Sequence, residues 1–280
     1  MTSGQQQGVQ QRAAVRLTQK TVEKPWGRYD LPAIFPNPDG KKIGEIWFDG
    51  PEGRHPPLLV KYIFTSEKLS VQVHPNDAEA KDRGLTGGKS ECWYVLDAEP
   101  DARLGIGMTQ ELDGEALRAA AMDGSIEALM DWKPVRPGSF YYIPAGTVHA
   151  IGAGVTLVEV QQNNDVTYRL FDYGRPRELH LDEGVSVSKA KPFPEGDRVL
   201  ALGTEDRVVD GSYAPFTMDM VSWSAGAQPS LPSNKPCWFV PITGAGQING
   251  QDWSANECWL IEDDVELTVS KDTAGFIAFK

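Results

Sequence analysis

Residues 138–150 read GSFYYIPAGTVHA, and the spacing G-x5-P-x-G-x2-H runs from Gly138 through Pro144 and Gly146 to His149. The run Ser139 to Ile143 is rich in aromatic and β-branched residues and predicts a strand. Pro144 and Gly146 predict a tight turn that passes the chain to a second strand and fixes where its first side chains stand. That turn directs His149 inward, which makes it a candidate ligand or acid/base group.

A second stretch, SVQVHP at 70–75, also reads as a strand. Side chains two apart share a face, so Gln72 and His74 point one way while Val71 and Val73 point the other. Working outward, LLVKYIFT (58–65), ECWYVLD (91–97), ARLGIGM (102–108) and VTLVEVQ (155–161) add further short strands separated by Gly, Pro and Asp. Such spacing predicts an all-β sandwich or barrel. Two stretches interrupt it. Asn76 to Arg83 predicts a short capped helix, and 109–132 has helical spacing broken at Gly124, read as a pair of short helices inserted between strands.

The first residues, 1–19, read as a polar tail without an apolar span. Pro192 and Pro194 suggest a linker. The expected units are therefore 20–192, carrying the insertion near 109–132, and a β unit at 193–280. That second unit contains no histidine, so a site built on His must draw from His55, His74, His149 and His180. His55 lies in a proline-rich turn and His180 on the polar side of an expected strand, and both read as structural or solvated. GAGQING (244–250) has glycine-loop character, but no helical pattern follows, so a hairpin is expected.

The chain has 280 residues, 24% of them charged, and a net charge of −12. That balance argues against nucleic acid or an anionic membrane as partner, since both require clustered Lys and Arg. Cys92, Cys237 and Cys258 are an odd number without CxxC spacing, which fits reduced thiols and a cytoplasmic address.

The 138–150 motif resembles the second motif of the cupin superfamily. The first cupin motif usually supplies H-x-H, and here Gln72-Val73-His74 stands in its place, with Glu91 following after an insertion. In that departure the chain is similar to the class I phosphomannose isomerases. Further matches are Lys24 to Arg28 (KPWGR), Lys89 two residues before Glu91, and Glu159 followed ten residues on by Arg169. The resemblance covers roughly residues 20–180.

It implies a cupin jelly-roll (double-stranded β-helix) with a small helical insertion, followed by a degenerate cupin-like β domain. Glu91-Cys92-Trp93 recurring as Glu257-Cys258-Trp259 fits that duplication. It further implies Gln72, His74, Glu91 and His149 as ligands of one divalent metal, foremost zinc. Arg169 and Lys89 would be active-site cations that bind substrate, and Glu159 an active-site acid. The implied activity is aldose-ketose isomerisation of mannose 6-phosphate and fructose 6-phosphate, with Glu159 and Lys89 both open as proton carriers. Two other classes are a sugar-binding or regulatory metal cupin without turnover, and a metal-dependent oxygenase, in which Gln72 would be unexpected.

Overall fold

The computed structural model describes residues 13–37, 39–51, 53–194, 196–232 and 235–280. Its centre is a seven-stranded antiparallel sheet in the order Arg198–Val199, Ser139–Ile143, Glu91–Ala98, Val155–Gln162, Leu58–Phe64, Ile43–Asp49 and Thr18–Arg28. Leu58–Phe64, Ser139–Ile143 and Val155–Gln162 are buried along their whole length. Alternation explains how both faces are covered. Val60, Tyr62, Tyr142, Val158 and Val160 pack outward against Met218, Trp238, Val240 and Phe276 of the C-terminal half. Ile63, Trp93, Ile143 and Leu157 pack inward against Leu104, Ile106 and Ile151. Each large apolar side chain so buried contributes roughly 1.5–3 kcal/mol.

The inward face meets a five-stranded sheet in the order Tyr168–Phe171, Val71–Val73, His149–Ile151, Arg103–Met108 and Met130–Pro134. The two sheets close the expected jelly-roll. A six-stranded and a three-stranded sheet form the C-terminal unit, around a cluster that includes Phe239, Ile248, Trp253, Trp259 and Ile277. GAGQING is a hairpin as expected. Ala245–Ile248 pairs with Gln251–Ser254, and Asn249 and Gly250 both take positive φ (49° and 74°), the geometry of a tight two-residue turn.

The helix from Asn76 forms at Asp77–Asp82, where the Asn76 side chain accepts from the Glu79 amide and Glu79 returns the bond. The larger insertion holds two helices, Gly114–Asp123 and Ile126–Leu129. It is shorter than expected, because Met130–Pro134 joins the five-stranded sheet by pairing with Arg103–Met108. The stretch around His180 is not a strand. His180 precedes helix Leu181–Val187, whose Val187 is buried in the cluster with Leu170.

The tail expectation also fails from Ala14 onward, where backbone pairing captures the chain. Ala14–Arg16 pairs with Trp259–Ile261 at the edge of the C-terminal sheet, and Thr18–Arg28 forms the edge of the central one. The residues before 13 lie outside those described. The two units are stitched at the proposed linker too, since Arg198–Val199 pairs with Phe140 and Ser139 and the Tyr94 hydroxyl donates to the Leu200 carbonyl. Among the described residues, no helix is long and apolar enough to cross a membrane.

Candidate metal centre and its cavity

Strand register assembles the site. In the five-stranded sheet Gln72 stands opposite His149 on one side and Arg169 on the other. In the central sheet Glu159 stands opposite Lys61 on one side and Trp93 on the other, and Glu91 pairs with Gln161. The interior face of each sheet thus presents a row of polar groups at the same end of the barrel, with apolar side chains filling the other end.

The turn at Pro144 to Gly146 is tied to both ligand segments. Gly146 N donates to the His74 carbonyl at 2.8 Å and Ala145 N to Ser90 Oγ at 3.1 Å. His149 Nδ1 donates to the Thr147 carbonyl at 2.8 Å and His74 Nδ1 to the Val166 carbonyl at 2.9 Å. Anchoring Nδ1–H in this way leaves each Nε2 with its lone pair facing inward, as a metal-binding imidazole requires.

Glu91 completes the cluster. Its Oε2 is 3.5 Å from His74 Nε2 and its Oε1 is 3.3 Å from His149 Nε2. Ligand atoms of His74, Glu91 and His149 all lie within 4.8 Å of one another. Tetrahedral bonds of ~2.1 Å have edges of roughly 3.4 Å, so a divalent ion fits with small inward movement. His74 Nε2 and both Glu91 oxygens are buried without a hydrogen-bond partner, the Lys89 ammonium reaching Glu91 only as an ion pair, an expensive arrangement that a divalent ion would relieve. Gln72 brings its amide to 3.3 Å from His149 Nε2, and a half-turn of that amide exchanges its nitrogen for its oxygen.

The electrostatics agree with this ligand set. Burial keeps both imidazoles neutral, lowering the His149 pKa to about 4 and that of His74 well below its ordinary value. Burial, with Glu159 adding to it, pushes the bare Glu91 carboxyl up to about 8 against the pull of Lys89 and Lys61. A bound cation would reverse that shift.

Beside the cluster lies a cavity of about 360 Å³, walled among others by Lys61, Gln72, Lys89, Glu159, Arg169 and His180. Lys61 was not anticipated from sequence, yet its ammonium lies 3.1 Å from Glu159 Oε1 and 5.0 Å over the Trp47 ring. A lone lysine inside the apolar run LLVKYIF was the available signal. Burial alone would raise the Glu159 pKa. Lys61 and Lys89, with hydrogen bonds from Trp93 Nε1 at 2.9 Å and from Lys61, overcome it and hold the carboxyl below its usual range. Lys89 Nζ is 3.5 Å from Glu91 Oε2. The Arg169 side chain forms no ion pair among the described residues.

His180 stands apart from the ligand cluster but lines the cavity, and its Nδ1 accepts from the Arg169 amide at 3.3 Å. His55 is exposed and lies elsewhere, beside Pro56 and Pro57. Among the described residues, those lining this cavity all belong to the first 180, and none comes from the C-terminal unit.

No family model matches the chain. Over 224 residues it is 36% identical to mannose-6-phosphate isomerase ManA of Bacillus subtilis (strain 168), an alignment covering 75% of this chain and 70% of that protein. The crystal structure of mannose 6-phosphate isomerase from Bacillus subtilis superposes with a TM-score of 0.74 at 26% identity, covering 96% of this chain and 100% of that one. A zinc-bound mannose 6-phosphate isomerase shares the fold, with a TM-score of 0.67 at 15% identity over 96% of this chain and all of that one.

Proposed function

Because the chain belongs to the class I phosphomannose isomerases, we propose that it interconverts mannose 6-phosphate and fructose 6-phosphate, with one zinc ion held by Gln72, His74, Glu91 and His149. The observation that carries the reading is the union of that cluster with a cavity whose wall holds the buried Lys61 and Glu159 pair and the Arg169 side chain. Three neutral donors and one carboxylate leave a divalent ion net positive. An ion bound there would supply Lewis acidity toward substrate oxygens.

Isomerisation removes the proton on C2, passes through an enediolate, delivers a proton to C1 and moves the hydroxyl proton from O2 to O1. We assign the carbon proton transfer to Glu159, whose carboxylate is kept ionised by Lys61 and Trp93 at the cavity wall. Lys89, set against Glu91, balances a buried carboxylate and meets the substrate from that side. A carboxylate held below its usual pKa is a weak base. Most of the acceleration therefore comes from stabilising the enediolate oxygens, the role we give Arg169. The phosphate meets cations of the same wall, Lys24 and Arg177 among them.

A sugar-binding metal cupin without turnover would require no buried Lys-Glu pair beside its ligand, and that pair favours the enzyme. The three free, buried cysteines support a cytoplasmic address. The test is a coupled isomerase assay on metal-stripped protein, with zinc, manganese, cobalt and iron returned separately. Turnover of mannose 6-phosphate restored by zinc is the expected result, and none with any metal would sink the reading.

A further inference from the structure

Three consecutive backbone N–H groups lead into the strand that carries Glu91, and each is held by a different group. Gly88 N donates to Asp77 Oδ1 at 2.7 Å, Lys89 N to the Pro75 carbonyl at 3.0 Å, and Ser90 N to Gln162 Oε1 at 2.9 Å. The same Asp77 oxygen accepts from Gln162 Nε2 at 2.9 Å, so a carboxylate and an amide together span the loop. Gln162 N in turn donates to the Ser90 carbonyl at 3.0 Å, and the Asn164 side chain donates to the Gly87 carbonyl. The loop sits against bare backbone: a Cβ on Gly88 would lie 2.5 Å from the Asn76 carbonyl carbon.

Neither Asp77 nor Gln162 lines the cavity beside the metal cluster. Both line a separate one of about 740 Å³ that includes His55. What they hold, however, is the backbone on either side of Lys89 and immediately before Glu91. Misplacing a reacting or ligating group by about 1 Å is enough to cost ~10²-fold in rate. We infer that Asp77 and Gln162 are positioning residues, which aim Lys89 and Glu91 at the metal centre through the amides of Gly88 and Ser90. The inference rests on the assignment of those two side chains to the site.

The test compares Asp77→Ala and Gln162→Leu with two further variants. Asp77→Asn keeps the acceptor oxygen, whereas Asn76→Ala removes only the helix cap that accepts from the Glu79 amide at 3.0 Å. Two quantities are measured, neither of which requires sugar phosphate. One is zinc affinity by chelator competition. The other is amide hydrogen exchange of residues 87–90 in metal-free protein. Asp77→Ala and Gln162→Leu are expected to weaken zinc binding about 10–100-fold and to speed exchange at Gly88 and Ser90, with Asp77→Asn restoring both. Asn76→Ala should lower the thermal midpoint and leave zinc affinity unchanged.

Zinc affinity within about twofold of the parent in both Asp77→Ala and Gln162→Leu would overturn the inference, as would an equal loss in Asn76→Ala. Asp77 is exposed, so its alanine variant carries the test alone if Gln162→Leu does not fold. A chain that binds zinc in this pattern without isomerising mannose 6-phosphate would refute the proposed function and leave the positioning role standing.

Discussion

Lys61 stands directly opposite Glu159 across two neighbouring strands, with Nζ 3.1 Å from Oε1 and both side chains buried. A buried ion pair of this kind gains little net stability over apolar residues of similar volume, because desolvating two charges offsets their attraction. Chemistry therefore explains the pair better than stability does. Its position beside the ligand cluster then follows from register alone, since Glu159 also faces Trp93 in the strand carrying Glu91.

Glu159→Gln should lower kcat about 10²–10⁴-fold while leaving the zinc content at one ion per chain. Lys61→Met should cost about 3–5 kcal/mol in stability, because it strands a buried carboxylate. The double variant Lys61→Met/Glu159→Leu should recover most of that loss and remain inactive. Urea unfolding and a steady-state assay on all three separate the contributions, and losses that simply add would contradict the pairing.

Zinc binding should release about one proton at pH 7. The bare Glu91 carboxyl titrates near 8 and is mostly protonated there, whereas both imidazoles are already neutral. Linkage gives the sign for the metal-free chain. Between about 6.5 and about 8 the folded state binds the Glu91 proton and the unfolded state does not, so stability falls as pH rises. His149 acts in the opposite sense below that window, because its folded pKa near 4 makes stability rise with pH up to the ordinary histidine range. Calorimetry in two buffers of different ionisation enthalpy measures the proton count, and a value near zero would show Glu91 ionised before the ion arrives.

Arg169→Lys should reduce kcat by roughly 10²–10³-fold, because a point charge replaces a planar fork aimed at developing oxygen charge. The thermal midpoint should not move, since the guanidinium makes no ion pair among the described residues. A matching fall in the midpoint would assign Arg169 a structural role.

His180→Ala should leave zinc content unchanged and raise KM, because its ring lines the cavity and accepts from the Arg169 amide while standing outside the ligand cluster. Loss of zinc in this variant would contradict the ligand set.

What could be read from sequence divides along local and long-range lines. His149 was legible because a Pro/Gly turn encodes its placement within a few residues, and Gln72 and His74 because a strand of period two puts them on one face. Lys61 was hidden. Its strand is buried on both sides, so it reads as a continuous apolar run, and its partner lies 98 residues away in the chain. Helix Leu181–Val187 was missed because its seven residues carry too little periodicity to separate it from a strand. The edge strand Ala14–Arg16 is set by backbone pairing with Trp259–Ile261, which side-chain pattern does not announce.

The most direct measurement of the central claim is a zinc titration of the metal-free chain, followed both by bound metal and by turnover of mannose 6-phosphate. Activity should rise linearly and break at one zinc per chain. His149→Ala should neither retain the ion nor turn over, and His55→Ala should behave like the parent. Full activity before zinc is added, or unimpaired zinc binding and turnover in His149→Ala, would contradict the account.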